Sequence, residues 1–164
     1  MGTGTPLPLD PIEAARTRST IRHQFPNLAE SFQVTSDRSL SYNCIAWAAE
    51  DTARWWWPTG SSYWPCVVSR AETLDSFVSA FATLGYAPCA DGDIEPGVQK
   101  VAIFLSQGMP THMARQLSSG SWTSKLGKSW DIEHAAASEV NGELNGELYG
   151  GVFQYLSKSQ VAPA

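Results

Sequence analysis

Charged side chains are scarce in this sequence. They make up 16% of its 164 residues, whereas a typical soluble domain has about a quarter. Eleven Lys and Arg oppose sixteen Asp and Glu, which gives a net charge of -5, and no basic cluster is present to neutralise a phosphate backbone. Nucleic acid is therefore not an expected partner. The hydrophobic fraction of 43% is ordinary, so we expect a chain that folds around a single core.

Long apolar runs are missing as well. No stretch approaches the roughly 20 residues that cross a bilayer. Residues 1–9 contain neither the basic nor the apolar region of a secretory signal. We therefore expect a soluble, cytoplasmic protein without a membrane partner, and the oligomeric state stays open.

Cysteine is sparse, with Cys44, Cys66 and Cys89 the three in the chain. An odd number leaves at least one thiol free, and a disulfide framework is not expected. The three cysteines form no Cys-x-x-Cys pair, which is the spacing typical of zinc sites. We therefore expect neither a metal nor a cofactor.

Periodicity and turn signals predict an α+β fold, with helices first and a run of antiparallel strands after them. Residues 1–24 are expected to form a tail and a short helix, residues 25–156 the domain, and residues 157–164 a second tail. The predicted helices are a short one from Pro11, one from Ser41 or Asn43 to Arg54, and one that Ser69 and Glu72 cap and Gly85 ends. The predicted strands cover residues 100–105, 111–117, 121–126 and 151–156, with turns at Asn141-Gly142 and Asn145-Gly146.

Cys44 is the first candidate for chemistry, because the pattern places it in the first turn of a helix. A thiolate is favoured at such a position, and the amides of the turn can donate to an oxyanion. The alternative is a buried structural cysteine, since free Cys is among the most buried residue types. His112 favours the catalytic interpretation of Cys44 over the structural one. A strand-borne imidazole downstream of a helix-borne thiol is the arrangement that Cys-His hydrolases need.

A third group is expected to orient the His112 ring. If Ser119-Gly120 is a tight two-residue turn, Ser118 pairs with Ser121, and the partner lies on the strand beyond Gly127. Asp131 and His134 are the candidates, with the carboxylate ranked slightly first because it stabilises an imidazolium directly. In the same register Lys125 shares the face of His112, where it binds substrate or is merely solvated.

An aromatic segment follows the Cys44 helix, and it includes Trp56 and Trp64. It is either a hydrophobic lid on the core or one wall of a binding cleft, because aromatic side chains serve both purposes. For the cleft reading, we expect Asn43, Trp56, Trp64 and Lys125 to bind substrate.

Several segments together resemble an uncharacterised bacterial domain family across residues 25–156. They are FPNL at 25–28, SYNCIAWAAED at 41–51, RWWWP at 54–58, PTHMARQL at 110–117, WTSKLG at 122–127 and DIEH at 131–134. The order of a helix-start Cys, a strand His, a Ser-Lys-x-Gly strand and a second His is similar to the CHAP-like peptidoglycan-cleaving and amidase branches of papain-like peptidases. That resemblance implies a papain-like core, with Cys44 as nucleophile, His112 as base and Asp131 or His134 as the third member.

The leading hypothesis is a cysteine peptidase or amidase that cleaves a peptide, isopeptide or other amide bond through an acyl-enzyme on Cys44. The alternative is a non-catalytic binding or immunity module that holds a partner protein on the aromatic segment. The hydrolase hypothesis expects Cys44 Sγ within about 4 Å of a ring nitrogen of His112.

Overall fold

A computed structural model describes residues 10–144 and 147–160. Predicted features at residues 1–9 and 161–164 and at Asn145-Gly146 lie outside the described residues. Within the described ranges, the helices are α1 (Pro11–Gln24), α2 (Cys44–Ala48) and α3 (Leu74–Ala82), with a 3-10 turn at Ala137–Val140. The strands are β1 (Gln33–Ser36), β2 (Ala87–Cys89), β3 (Val98–Ser106), β4 (Met109–Gln116), β5 (Trp122–Lys125), β6 (Asp131–His134), β7 (Gly142–Leu144) and β8 (Glu147–Ser159). The α+β prediction is confirmed.

One antiparallel sheet organises these elements. Its strand order is β1-β6-β5-β4-β3-β8-β2, and β7 pairs with β8 outside that path. The central strand β3 pairs with β4 on one side and with the long β8 on the other. Strand β8 continues to Ser159, three residues past the predicted end of the last strand at residue 156. Among the described residues, no helix is both long and apolar enough to cross a membrane.

Each face of the sheet carries its own core. One cluster contains Ile21 and Phe25 from the α1 region together with Phe104 and Ala114. The other contains Ile45 from α2 and Phe77 from α3, together with Met113. Because successive side chains of a strand point to opposite faces, residues 112 and 114 of β4 face α1, whereas residues 113 and 115 face α2.

The hairpin of β4 and β5 has a different register from the predicted one. Arg115 pairs with Thr123 and Gln116 with Trp122, and the amide of Leu117 donates to the carbonyl of Ser121 at 2.7 Å. The connection is thus a three-residue loop, 118–120, with Gly120 in the left-handed region at φ +94. The predicted pairing of Ser118 with Ser121 is wrong by one residue, which turns every side chain of β5 to the other face.

Helix α2 begins where the sequence predicts and ends early. The side chain of Asn43 accepts a hydrogen bond from the amide of Ala46 and caps the helix. The predicted end at Arg54 is wrong, because Asp51 binds the amide of Ala53, the Arg54 side chain and the indole of Trp56. Those contacts hold a turn in place of further helix.

Helix α3 has a different cap from the predicted one. Thr73 accepts from the amide of Ser76, whereas Glu72 accepts from the indole of Trp57 and the hydroxyl of Thr59. The predicted Ser69-Glu72 capping box is therefore wrong, because Glu72 is used to fasten the aromatic segment.

We predict that Gly150→Ala destabilises the fold far more than Gly60→Ala. Both glycines have left-handed backbone, with φ +69 and +71, so alanine pays a similar conformational cost of about 1–2 kcal/mol at each. A Cβ on Gly150 would lie 2.0 Å from the carbonyl oxygen of Leu105, whereas one on Gly60 meets no described atom within 4 Å. The clash should add about 2 kcal/mol or more to the loss at Gly150. Urea unfolding measures both, and equal losses would contradict this packing of β8 on β3.

Candidate functional site

The two residues expected to form a catalytic dyad lie on opposite faces of the sheet. The ring of His112 stacks on Tyr149 with centroids 4.1 Å apart and meets the edge of Phe104 at 4.9 Å. Cys44 packs in the cluster on the other face, together with Met113. The predicted Cys44–His112 pairing is therefore wrong, because the sheet itself separates the thiol from the imidazole.

His112 belongs instead to a buried chain of polar groups. Its Nε2 lies 3.1 Å from Ser124 Oγ, and Ser124 Oγ lies 2.8 Å from His134 Nε2. His134 Nδ1 lies 2.8 Å from the carbonyl oxygen of Ala136. Sequence reasoning missed Ser124, whose position on this face follows only from the observed register of β5.

The Ala136 carbonyl fixes the direction of the hydrogen bonds among these polar groups. A carbonyl only accepts, so His134 Nδ1 carries the hydrogen and His134 Nε2 accepts from the Ser124 hydroxyl. Ser124 Oγ then accepts from His112 Nε2–H. His112 Nδ1 is left as an acceptor, and it is buried with no hydrogen-bond partner in the described part of the chain.

Burial keeps both rings neutral. It lowers the pKa of His112 well below 6.5, and nearby His134 lowers that pKa further. Burial also lowers the pKa of His134 to about 4, although the Ala136 carbonyl and Glu139 act in the opposite direction. His112 is 0% exposed and His134 1%, and both rings lie on the face of the sheet opposite Cys44, so neither imidazole is placed to receive its proton.

Asp131 lies on the Cys44 face. It pairs across the strands with Lys125, and its Oδ2 accepts a 2.5 Å hydrogen bond from the hydroxyl of Tyr42. Its Oδ1 is buried and has no hydrogen-bond partner among the described residues. The prediction that Asp131 or His134 orients His112 by direct contact is thus wrong for both, since Asp131 faces away and His134 reaches His112 only through Ser124.

Lys125 is buried on the Cys44 face, so its predicted place on the His112 face is wrong. It is 0% exposed and donates to the carbonyl of Ser129. Its ammonium lies 5.1 Å from the ring centroid of Tyr42 and interacts electrostatically with Asp131 and Cys44. Tyr42 thus contacts Asp131 and Lys125 and packs in the same core cluster as Cys44, and we call these four residues, Tyr42, Cys44, Lys125 and Asp131, the Cys44 cluster.

The electrostatics of the Cys44 cluster reflect its burial. Burial lowers the pKa of Lys125, against the opposing attraction of Asp131 and Cys44. Burial raises the pKa of Asp131, although the hydrogen bond from Tyr42, the nearby Ser36 hydroxyl and the charges of Lys125 and Arg115 act against that rise. Burial and the neighbouring Asp131 also raise the pKa of Tyr42, so its hydroxyl stays a donor.

The other residues expected to bind substrate hold the fold. Asn43 Oδ1 accepts from the amides of Ala46 and Trp56, and Asn43 Nδ2 donates to the Trp56 carbonyl at 2.8 Å. Trp56 is 4% exposed and Trp64 2%, and the Trp64 ring packs on Phe77. The aromatic segment does fold back to the start of α2, but Trp56 and Trp64 are a lid on the core and not the wall of a cleft.

Comparison with known proteins identifies one matching family, and that family has no assigned activity. A family model described as a domain of unknown function, DUF7689, matches residues 33–157, which is more than half of the chain. No curated protein and no solved structure matches it.

We predict that the stability of the fold decreases as the pH falls below 6.5. Both buried histidines have folded pKa values below the ordinary value, so the unfolded chain takes up their protons first and is favoured. The loss begins near the unfolded pKa of about 6.5 and continues for His134 to about pH 4. Each histidine should cost about 1.5–2 kcal/mol between pH 7 and pH 5.

The pH dependence is best measured by comparing variants, because Asp131 contributes with the opposite sign. Its folded pKa is raised, so its burial is least costly at low pH. Urea unfolding at several pH values should show that His134→Gln removes about half of the histidine contribution, whereas His23→Gln, at an exposed site on α1, leaves the slope unchanged. Equal slopes for all three proteins would contradict the buried neutral chain.

Proposed function

Given that the chain belongs to the DUF7689 family, whose function is unknown, we propose from its site that it is a cysteine hydrolase of the amidase or peptidase type with Cys44 as nucleophile. The base in this proposal is Asp131, and Lys125 supplies positive charge. One arrangement supports it: Lys125 lies directly across the strands from Asp131, both side chains are buried, and Cys44 begins helix α2, which packs on the same strand β5. Burying an ammonium and a carboxylate costs free energy, because both lose their hydration. Side chains with perturbed pKa values are concentrated at functional sites.

The burial of these groups supports the roles assigned to them. A raised pKa brings a carboxylate closer to the range in which a general base works at neutral pH, and burial raises the pKa of Asp131. The Tyr42 hydroxyl holds Oδ2, which leaves Oδ1 as the proton acceptor. A fixed positive charge stabilises both a thiolate and the oxyanion of a tetrahedral intermediate.

The proposed reaction has two halves. Asp131 takes the Cys44 proton, the thiolate attacks the amide carbonyl, and the C–N bond breaks as Asp131 returns the proton to the leaving amine. A water molecule then gives a proton to Asp131 and attacks the thioester. The C–S bond breaks, the acid leaves, and the proton returns to Cys44. Lys125 keeps its charge throughout.

We include a papain-like origin in the proposal only for the arrangement of the backbone, not for the identity of the base. Helix α2, which carries Cys44, packs on β4 and β5, as a papain-like core would require, but the base would be Asp131 in place of a strand histidine. A peptide, isopeptide or other amide is the proposed substrate class. A cytoplasmic setting is also part of the proposal, because a catalytic thiol is kept reduced there.

One observation favours the rival function, a non-catalytic binding or immunity module. Cys44 is 7% exposed and Asp131 1%, so a substrate carbonyl reaches the thiol only if neighbouring side chains move. A module of that kind would keep the Cys44 cluster as buried structure and would use other surfaces to hold its partner.

We predict that iodoacetamide at low concentration and near neutral pH alkylates Cys44 faster than Cys66. Cys66 is exposed and serves as an internal reference thiol, and peptide mass mapping measures both rates. Asp131→Asn should slow the modification of Cys44 about tenfold or more, because it removes the base, and should leave Cys66 unaffected. Asp37→Asn, at an exposed site, is the matched control.

The same mapping with p-nitrophenyl acetate separates the two functions. A hydrolase acetylates Cys44 and turns over, whereas a binding module releases no nitrophenol beyond the amount that Cys66 and Cys89 account for. If Cys44 reacts more slowly than Cys66 in the native protein and Asp131→Asn changes nothing, the hydrolase proposal fails.

A further inference from the structure

A cavity with both polar and apolar lining lies beside the C-terminal end of helix α2. Its volume is about 740 Å³, within the range of about 300–1,000 Å³ that small-ligand sites occupy. Its polar lining comes from Glu50, Glu95, Gln99, Arg115, Gln116 and Gln160. No residue of the Cys44 cluster is among the described residues that line it, so this cavity is distinct from the site of the proposed hydrolase.

An ion pair between the buried Arg115 and the partly exposed Glu50 forms one wall of the cavity. Arg115 is 3% exposed, and its Nη1 lies 3.3 Å from Glu50 Oε1. The guanidinium also donates through Nε to the carbonyl of Trp47 and lies 5.1 Å from the Trp47 ring centroid. Arg115 is thus fixed from several sides, whereas the Glu50 side chain is 42% exposed and stays accessible from the cavity.

Glu50 occupies a position that would suit glycine. It follows the C-terminal end of α2 with φ +64, in the left-handed region, where helices commonly end on Gly because a Cβ is unfavourable there. Non-glycine residues held in such conformations cluster at ligand-binding sites. The strained backbone and the ion pair together hold this carboxylate at the edge of the cavity.

Amide side chains continue the lining beyond the ion pair. Gln99 Nε2 donates to the carbonyl of Gln116 at 2.6 Å, and Gln160 Nε2 donates to Gln99 Oε1 at 3.1 Å. Gln116 Nε2 donates to the carbonyl of Gly92 at 2.7 Å. Side-chain amides both donate and accept, and these contacts of Gln116 and Gln160 use their Nε2 atoms, so the Oε1 atoms of these two residues can accept from the backbone amides of a peptide.

The charges of the lining favour a cationic ligand. Glu50 and Glu95 against Arg115 leave one net negative charge among the lining side chains. Glu95 is also paired with Lys100, whose Nζ lies 2.7 Å from its Oε2 and 3.1 Å from Asp91 Oδ1. An anionic ligand would have to displace Glu50 from Arg115 and would still face Glu95, and the whole chain carries a net charge of -5, which attracts cations.

We propose that this cavity binds a basic peptide segment. The lysine or arginine side chain of the segment lies against Glu50 and Glu95, and its backbone amides meet Gln116 and Gln160. The inference does not depend on hydrolysis at Cys44.

Calorimetric titration with acetylated and amidated Gly-Lys-Gly, Gly-Gln-Gly and Gly-Glu-Gly tests this proposal. The Lys peptide should bind most tightly and the Glu peptide most weakly. Glu50→Gln should weaken the Lys peptide about tenfold or more, because one charge-assisted contact is lost, while binding of the Gln peptide changes little. Glu30→Gln is the matched control, since Glu30 also pairs with an arginine, Arg22, at 3.4 Å, away from the cavity.

Two further variants separate failure of the peptide-binding proposal from failure of the hydrolase proposal and from misfolding. Cys44→Ser should leave the affinity for the Lys peptide unchanged, whether or not the chain is a hydrolase. If Glu50→Gln does not fold, Gln160→Ala should weaken the Lys and Gln peptides equally through the lost amide contact. The proposal is overturned if the Lys peptide binds no more tightly than the Glu peptide, or if Glu50→Gln and Glu30→Gln act alike.

Discussion

The three-residue loop between β4 and β5 decides which chemistry this fold carries on each face. Leu117 closes the loop by donating to Ser121, and Gly120 takes the left-handed conformation that lets the chain return. The resulting register turns Ser124 toward His112 and Lys125 toward Cys44. Since a shift by one residue exchanges the two faces of a strand, a two-residue turn would have placed Lys125 beside the histidines and Ser124 beside the thiol.

The two faces of the sheet bury polar groups in different ways. On the α1 face, His112, Ser124 and His134 are linked by hydrogen bonds, and both imidazoles stay neutral. On the α2 face, Lys125 and Asp131 are charged groups taken out of water, which is costly even when they attract each other. The uncharged chain joins β4, β5 and β6 by hydrogen bonds, whereas the charged pair belongs to the site of the proposed hydrolase.

Local signals predicted much of the fold, and long-range geometry accounts for the errors. The α+β layout, the start of α2 at Cys44 and its Asn43 cap follow from periodicity and side-chain chemistry next to the helix. The early end of α2 depends on Asp51 reaching the Trp56 indole, a tertiary contact that propensity does not contain. Of the candidate site, Cys44, Asp131 and Lys125 do lie on one face of the sheet. His112 was assigned to Cys44 from the order of a helix thiol and a later strand histidine, which does not determine the face of β4, and an assumed two-residue turn then placed Lys125 on the His112 face.

Two adjacent residues of strand β5 lie in different environments. Ser124 bonds to His112 and His134 on one face, whereas Lys125 belongs to the Cys44 cluster on the other. Substitutions at sites without shared partners have nearly additive effects on stability. The two faces of the sheet therefore contribute to stability separately: the Cys44 cluster can be altered while the histidine chain continues to support the core. A change of chemistry on the α2 face would leave the backbone architecture as it is.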